Sequence, residues 1–169
     1  MLDNHKFQTG EDYYHRLNFI FNLLIAIPLV PFGFLYLAQV KNRLSLITLE
    51  SSVEHAISIA VLLTTAFITF KAISQYNSKK RTLWSEDGLR KKMILFHQIL
   101  ILKYMLFSIT GAILTLGFLL TLHKIHVVAF IVILVLLSLR RPTLRLIVEE
   151  LNLPPEEAEI LRKKEVIPL

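Results

Sequence analysis

The chain has no cysteine among its 169 residues. That excludes disulfides, thiolate nucleophiles, cysteine-held iron–sulfur clusters and cysteine zinc sites. Glycine is scarce, at 5, which leaves little room for phosphate-cradling loops. There is no Walker loop, dinucleotide glycine fingerprint, nucleophile elbow or HExxH. Asp and Glu are missing from the middle of every long apolar run. Ionisable groups at mid-membrane mark proton relays and ion pathways, so a relay contained within one subunit is not expected.

What the chain does have is apolar length. The hydrophobic fraction is 54% and the mean hydropathy +0.56, too high for one small soluble domain. Four runs carry it, at about Leu17–Val40, Val53–Phe70, Tyr104–Leu122 and Ile125–Leu139. A bilayer core needs about 20 residues of helix. None of the runs alternates apolar with polar residues as a barrel strand would. The expected fold is therefore an all-α membrane protein, a four-transmembrane-helix bundle. Its spans are placed at about 17–40, 51–71, 100–122 and 125–141, within a transmembrane domain of residues 1–141. Residues 142–169 are expected to form a short amphipathic helical tail. The segment before the first run has no basic n-region and the run is too long for a signal peptide, so it is expected to be retained as a span.

The basic residues are gathered on one side of the runs. Lys6, Arg16, Lys71, Lys79, Lys80, Arg81, Arg90, Lys91, Lys92, Arg140, Arg141, Arg145, Arg162, Lys163 and Lys164 fall on one side. Only Lys41, Arg43 and Lys124 fall on the other, with Lys103 at the edge of the third run, where it can snorkel. The positive-inside rule makes the richer side cytoplasmic, with both termini there, in a bacterial-type inner membrane. The net charge of +6 is thus read as a membrane signature. No nucleic-acid motif accompanies it, and no nucleic-acid partner is expected.

Pro28 and Pro31 interrupt the first run and are read as a helix break or kink. Ala56, Ala60 and Thr64 recur at every fourth position, a smooth face suited to close packing. Ser108, Gly111, Ala112 and Thr115 form a second small-residue patch, expected to meet the first. On the cytoplasmic side, Lys79, Lys80, Arg81, Arg90, Lys91 and Lys92 form a basic cluster in a loop over Lys71–Lys92. Ser85-Glu86-Asp87 reads as a helix start and Trp84 as an interfacial anchor. In the tail, Leu144, Ile147, Val148 and Leu151 line one helical face, and Pro154-Pro155-Glu156-Glu157 opens a second helix. Its acids are expected to dock on the basic segment.

One constellation resembles a ligand set in residue type. Glu50, Glu54 and His55 start the second span, and His123 and His126 start the fourth, at similar depth on the charge-poor side. Imidazole with carboxylate suits zinc, iron or manganese, and two histidines on facing helices suit haem. His15 and His97 offer a second pair on the cytoplasmic side. None of these matches a specific signature, and no cofactor is the leading expectation. The expected function is a non-catalytic integral membrane protein. It would serve as a small subunit or scaffold of a larger membrane complex, or form a homo-oligomer, with the lipid bilayer, anionic headgroups and other membrane subunits as partners. The alternatives are a haem- or metal-binding redox subunit and an oligomeric channel or carrier built around Pro28–Gly33.

Overall fold

In the computed structural model, residues 7, 9–41, 50–83, 88–139, 141–162 and 167 are described. Ser85-Glu86-Asp87, Trp84, Arg43, Arg140, Lys163 and Lys164 lie outside them. Among the described residues there is no strand. The helices are α1 (Gly10–Val40), α2 (Ser51–Leu83), α3 (Leu89–Thr121), α4 (Lys124–Ser138), α5 (Leu144–Leu151) and α6 (Pro155–Arg162). Three of them, α1, α2 and α3, are long and apolar enough to cross a membrane, and α4 is a shorter apolar helix of 15 residues. The protein is therefore all-helical and membrane-embedded in character.

Two expectations about local structure change. The Lys71–Lys92 segment is not a loop: α2 stays helical to Leu83 and α3 begins at Leu89. The residues from Lys71 to Leu83 contain no proline or glycine to stop the helix. Of the kink or break expected at Pro28 and Pro31, an unwound stretch is not seen, because α1 is helical from Gly10 to Val40 through both. Each proline removes only its own N–H donor, and membrane helices tolerate this when neighbours pack against the site. Here Pro28 is buried and packs on Gly111.

The chain divides into two compact units, and the division cuts the long helices. The first unit holds Met1–Asn22, Ile73–Lys103 and Arg141–Leu169; the second holds Leu23–Ala72 and Tyr104–Arg140. They are built for different surroundings. Among the described residues, all the large exposed hydrophobics except Phe19, Ile73 and Leu102 belong to the second unit.

Within the second unit, aromatic and glycine contacts hold the helices together. Phe32 of α1 stacks on Phe130 of α4 with centroids 3.9 Å apart and lies 5.3 Å from Phe118 of α3. A Cβ at Gly111 would stand 2.8 Å from Pro28 Cβ, and one at Gly117 would stand 2.8 Å from Val61 Cγ1. These close approaches require glycine. Gly111 lies against Pro28 of α1 and Phe130 of α4. Ala56, Ala60 and Thr64 are exposed, and Ala112 is half-buried. The face of α2 that packs inward instead carries Ser58, Val61 and Thr65.

The α3–α4 turn is tight. Leu122 takes φ 52°, in the left-handed region, and its N–H donates to the Phe118 carbonyl at 2.8 Å. The Gln39 side-chain amide donates to the Leu122 carbonyl at 3.1 Å. A leucine in this conformation costs on the order of 1 kcal/mol or more, and these two bonds offset it.

The first unit has an interior like that of a water-soluble protein. Leu17, Met93, Phe96, Leu100 and Ile147 are completely buried. The Tyr13 hydroxyl donates to the Met93 carbonyl at 3.0 Å. Short helices α5 and α6 close this interior with Ile147, Leu151, Ala158 and Leu161, and Ile167 follows them. Thr143 caps α5 by accepting from Leu146 N–H at 3.1 Å, and Asn152 ends it in the left-handed conformation. Pro155 and the acids Glu156 and Glu157 open α6 as the residue pattern implies.

Gly111→Leu should lower stability by about 1–3 kcal/mol through overpacking, measured by unfolding in detergent. Gly33→Ala, whose added carbon meets nothing within 4 Å, is the control and should not destabilise.

Candidate functional site

The second unit holds all five residues of the ligand-like set, but it does not converge them on one point. Glu50 is exposed, and its carbonyl accepts from Val53 N–H at 2.9 Å and Glu54 N–H at 3.0 Å, starting α2. Glu54 Oε2 lies 3.7 Å from His123 Nε2. The His55 and His123 rings meet edge to face with centroids 5.2 Å apart. His55 Nδ1 lies 2.6 Å from the Ser51 carbonyl, as an N–H donor to it would.

His126 points elsewhere. It is fully buried, with Nε2 3.3 Å from Ser58 Oγ, and the missing side chain of Gly117 makes room for its ring. Among the described residues no group of three or more His, Asp or Glu is placed to hold a metal ion. The His55 and His123 rings touch, leaving no slot for a porphyrin plane between them as they stand. His15 pairs with Glu11 at 3.5 Å, while His97 lies against Tyr13 with centroids 5.6 Å apart.

The basic cluster is spread over α2 and α3. Lys79, Arg81 and Lys91 are exposed. The Arg90 guanidinium lies 5.7 Å from the centre of the Phe7 ring. Lys92 Nζ is 3.7 Å from Glu157 Oε2, and Lys80 Nζ is 3.6 Å from Glu150 Oε2. The acidic tail thus meets the basic segment through ion pairs that include these.

The second of these pairs belongs to a buried polar cluster that the residue pattern had not singled out. The Tyr76 hydroxyl donates to Glu150 Oε2. Lys103, expected to snorkel at an interface, is only 7% exposed, and its ammonium lies 4.0 Å from the centre of the Tyr76 ring. Its neighbourhood explains the difference: the face of a tyrosine ring attracts a cation. A signal for Glu150 was present. It sits between Ile147 and Leu151 at helical spacing, on the apolar face of α5.

Magnitudes separate the roles of these contacts. Burying an apolar side chain such as Ile147 or Leu151 contributes roughly 1.5–3 kcal/mol each. A buried ion pair is often no more stabilising than an apolar replacement, and its best-attested use is to fix register or act as a switch. The apolar residues therefore supply most of the docking energy of α5. The Tyr76–Lys80–Glu150 contacts select its position.

Burial pushes the Glu150 carboxyl above its ordinary range. No protein-family model, curated protein or solved structure matches this chain.

A carboxyl whose folded pKa is raised contributes stability below its ordinary value and loses it as pH rises through the folded one. From pH 4.5, the ordinary value, toward neutrality, the thermal midpoint of the wild type should fall relative to that of Glu150→Gln. Parallel midpoints for the two proteins across this window would contradict the assignment.

Proposed function

We propose that this is a non-catalytic, four-pass integral protein of the cytoplasmic membrane, with both termini inside, serving as a small subunit or scaffold of a larger membrane assembly. The observation that carries the reading is the uneven burial of the long helices. The most apolar stretch of α3 is 50% buried, whereas those of α1 and α2 are each 17% buried. α3 is the most buried of the three within a single copy. α1 and α2 turn most of their apolar surface outward, toward lipid or neighbouring subunits. The exposed Ala56, Ala60 and Thr64 on α2 suit helix–helix contact.

Connectivity supports four passages. α1, α2 and α3 each have one end in each unit, and the chain after α4 belongs again to the first unit. In this reading α4 makes the fourth passage, although its 15 residues span only about 22 Å at 1.5 Å per residue. Its flanking residues, Lys124 on one side and Arg141 on the other, can extend the crossing by snorkelling. The basic residues of the first unit favour the cytoplasm for that unit.

Purification from native membranes in mild detergent, followed by native mass spectrometry, tests the subunit role. The expected result is a species heavier than one 19.5 kDa chain, either a multiple of it or a complex with a second membrane protein. Recovery solely as a lipid-coated monomer would contradict the proposal.

A further inference from the structure

The buried cluster of the first unit has the composition of an anion receptor. Tyr76 and Lys80 come from α2 and Lys103 from α3, so the donors sit on two long helices. The acceptor, Glu150, arrives on an eight-residue helix of the C-terminal segment. Tyr76 is 4% exposed and Lys103 7% exposed. Tyr76 donates its hydroxyl to Glu150, Lys80 Nζ approaches the same oxygen to 3.6 Å, and Lys103 Nζ lies 4.0 Å from the centre of the Tyr76 ring.

We propose that Tyr76, Lys80 and Lys103 form a binding site for a phosphate-bearing ligand, and that Glu150 occupies this site in cis, so that the ligand and the docked α5 compete for it. The geometry suits this exchange. The Tyr76 hydroxyl and Lys80 Nζ converge on one carboxylate oxygen of Glu150, and Lys103 Nζ stands over the Tyr76 ring. A phosphate monoester supplies about −1.5 to −2 and three acceptor oxygens, and a phenol with two ammonium groups can donate to all three. Lysine binds phosphate well as a point charge.

The carboxylate is also a poor occupant, since burial raises the Glu150 carboxyl. Lys103 directly precedes the apolar stretch of α3 that begins at Tyr104. A phospholipid headgroup is therefore one source of the phosphate, and free phosphate is the other. Both present the same chemistry to these three residues.

The test uses the full chain, whose lack of cysteine lets single labels be placed without background. Ser78→Cys and Asn152→Cys, both at exposed positions, carry spin labels in protein held in lipid nanodiscs. One arm adds inorganic phosphate to phosphatidylcholine discs, and the other uses discs containing phosphatidic acid. The label distance should lengthen in at least one arm as α5 leaves, and the responding arm identifies the source. Retention of radiolabelled phosphate or of phosphatidic acid should be lost in Lys80→Gln with Lys103→Gln, and reduced in Tyr76→Phe, which keeps the ring. No lengthening in either arm overturns the proposal. So does undiminished retention in Tyr76→Phe, a variant that stays informative if the double lysine variant fails to fold.

Discussion

A mismatch of lengths governs this structure. Helices α1, α2 and α3 have 31, 33 and 33 residues, about 47–50 Å at 1.5 Å per residue. The hydrocarbon core of a bilayer is about 30 Å thick. A helix of that length cannot be covered by lipid from end to end without strong tilt. Its surplus turns need burial of another kind. The surplus appears at the same ends of all three helices, in the first unit, where tail helices α5 and α6 supply the missing apolar partners. Neither the helix ends nor the tail would bury enough surface alone.

This explains why the polar chemistry lies where it does. In the second unit Ser58 meets His126, while threonine hydroxyls such as Thr115, to the Gly111 carbonyl at 2.8 Å, and Thr121, to the Gly117 carbonyl at 2.9 Å, bond back to their own helix. Such bonds satisfy the group without asking anything of a neighbour. In the first unit, Tyr76, Lys80, Lys103 and Glu150 bond between helices. The first pattern suits an environment without water. The second specifies which segment docks and where, and it is the pattern a competing ligand can disturb.

Helix type and the long apolar helices were legible in the amino-acid pattern because run length is a one-dimensional signal. The amphipathic face of Ile147 and Leu151 and the opening of α6 at Pro155 were equally local. What was not legible depended on partners. Pro28 reads as a breaker until Gly111 is found packed against it. Ala56 and Ala60 read as a packing face, yet α2 presents Ser58 and Val61 inward, since small-residue spacing gives a face but not what it meets. Lys103 reads as a snorkelling lysine until Tyr76, distant in sequence, places a ring beneath its ammonium. The residues Glu50, Glu54, His55, His123 and His126 fall in one unit, but side-chain direction separates His126, which turns to Ser58, from His123, which turns to Glu54.

The account stands or falls on the chain crossing the bilayer four times, so that the α2–α3 connection and the tail share one side. Single cysteines at Ser78, Lys124 and Glu156, all exposed positions, can be probed in intact cells with a membrane-impermeant maleimide. Labelling of Lys124→Cys alone before lysis, with Ser78→Cys and Glu156→Cys labelled only after it, is the predicted result. Labelling of Glu156→Cys from outside while Ser78→Cys stays protected would contradict it, because α4 would then not return the chain.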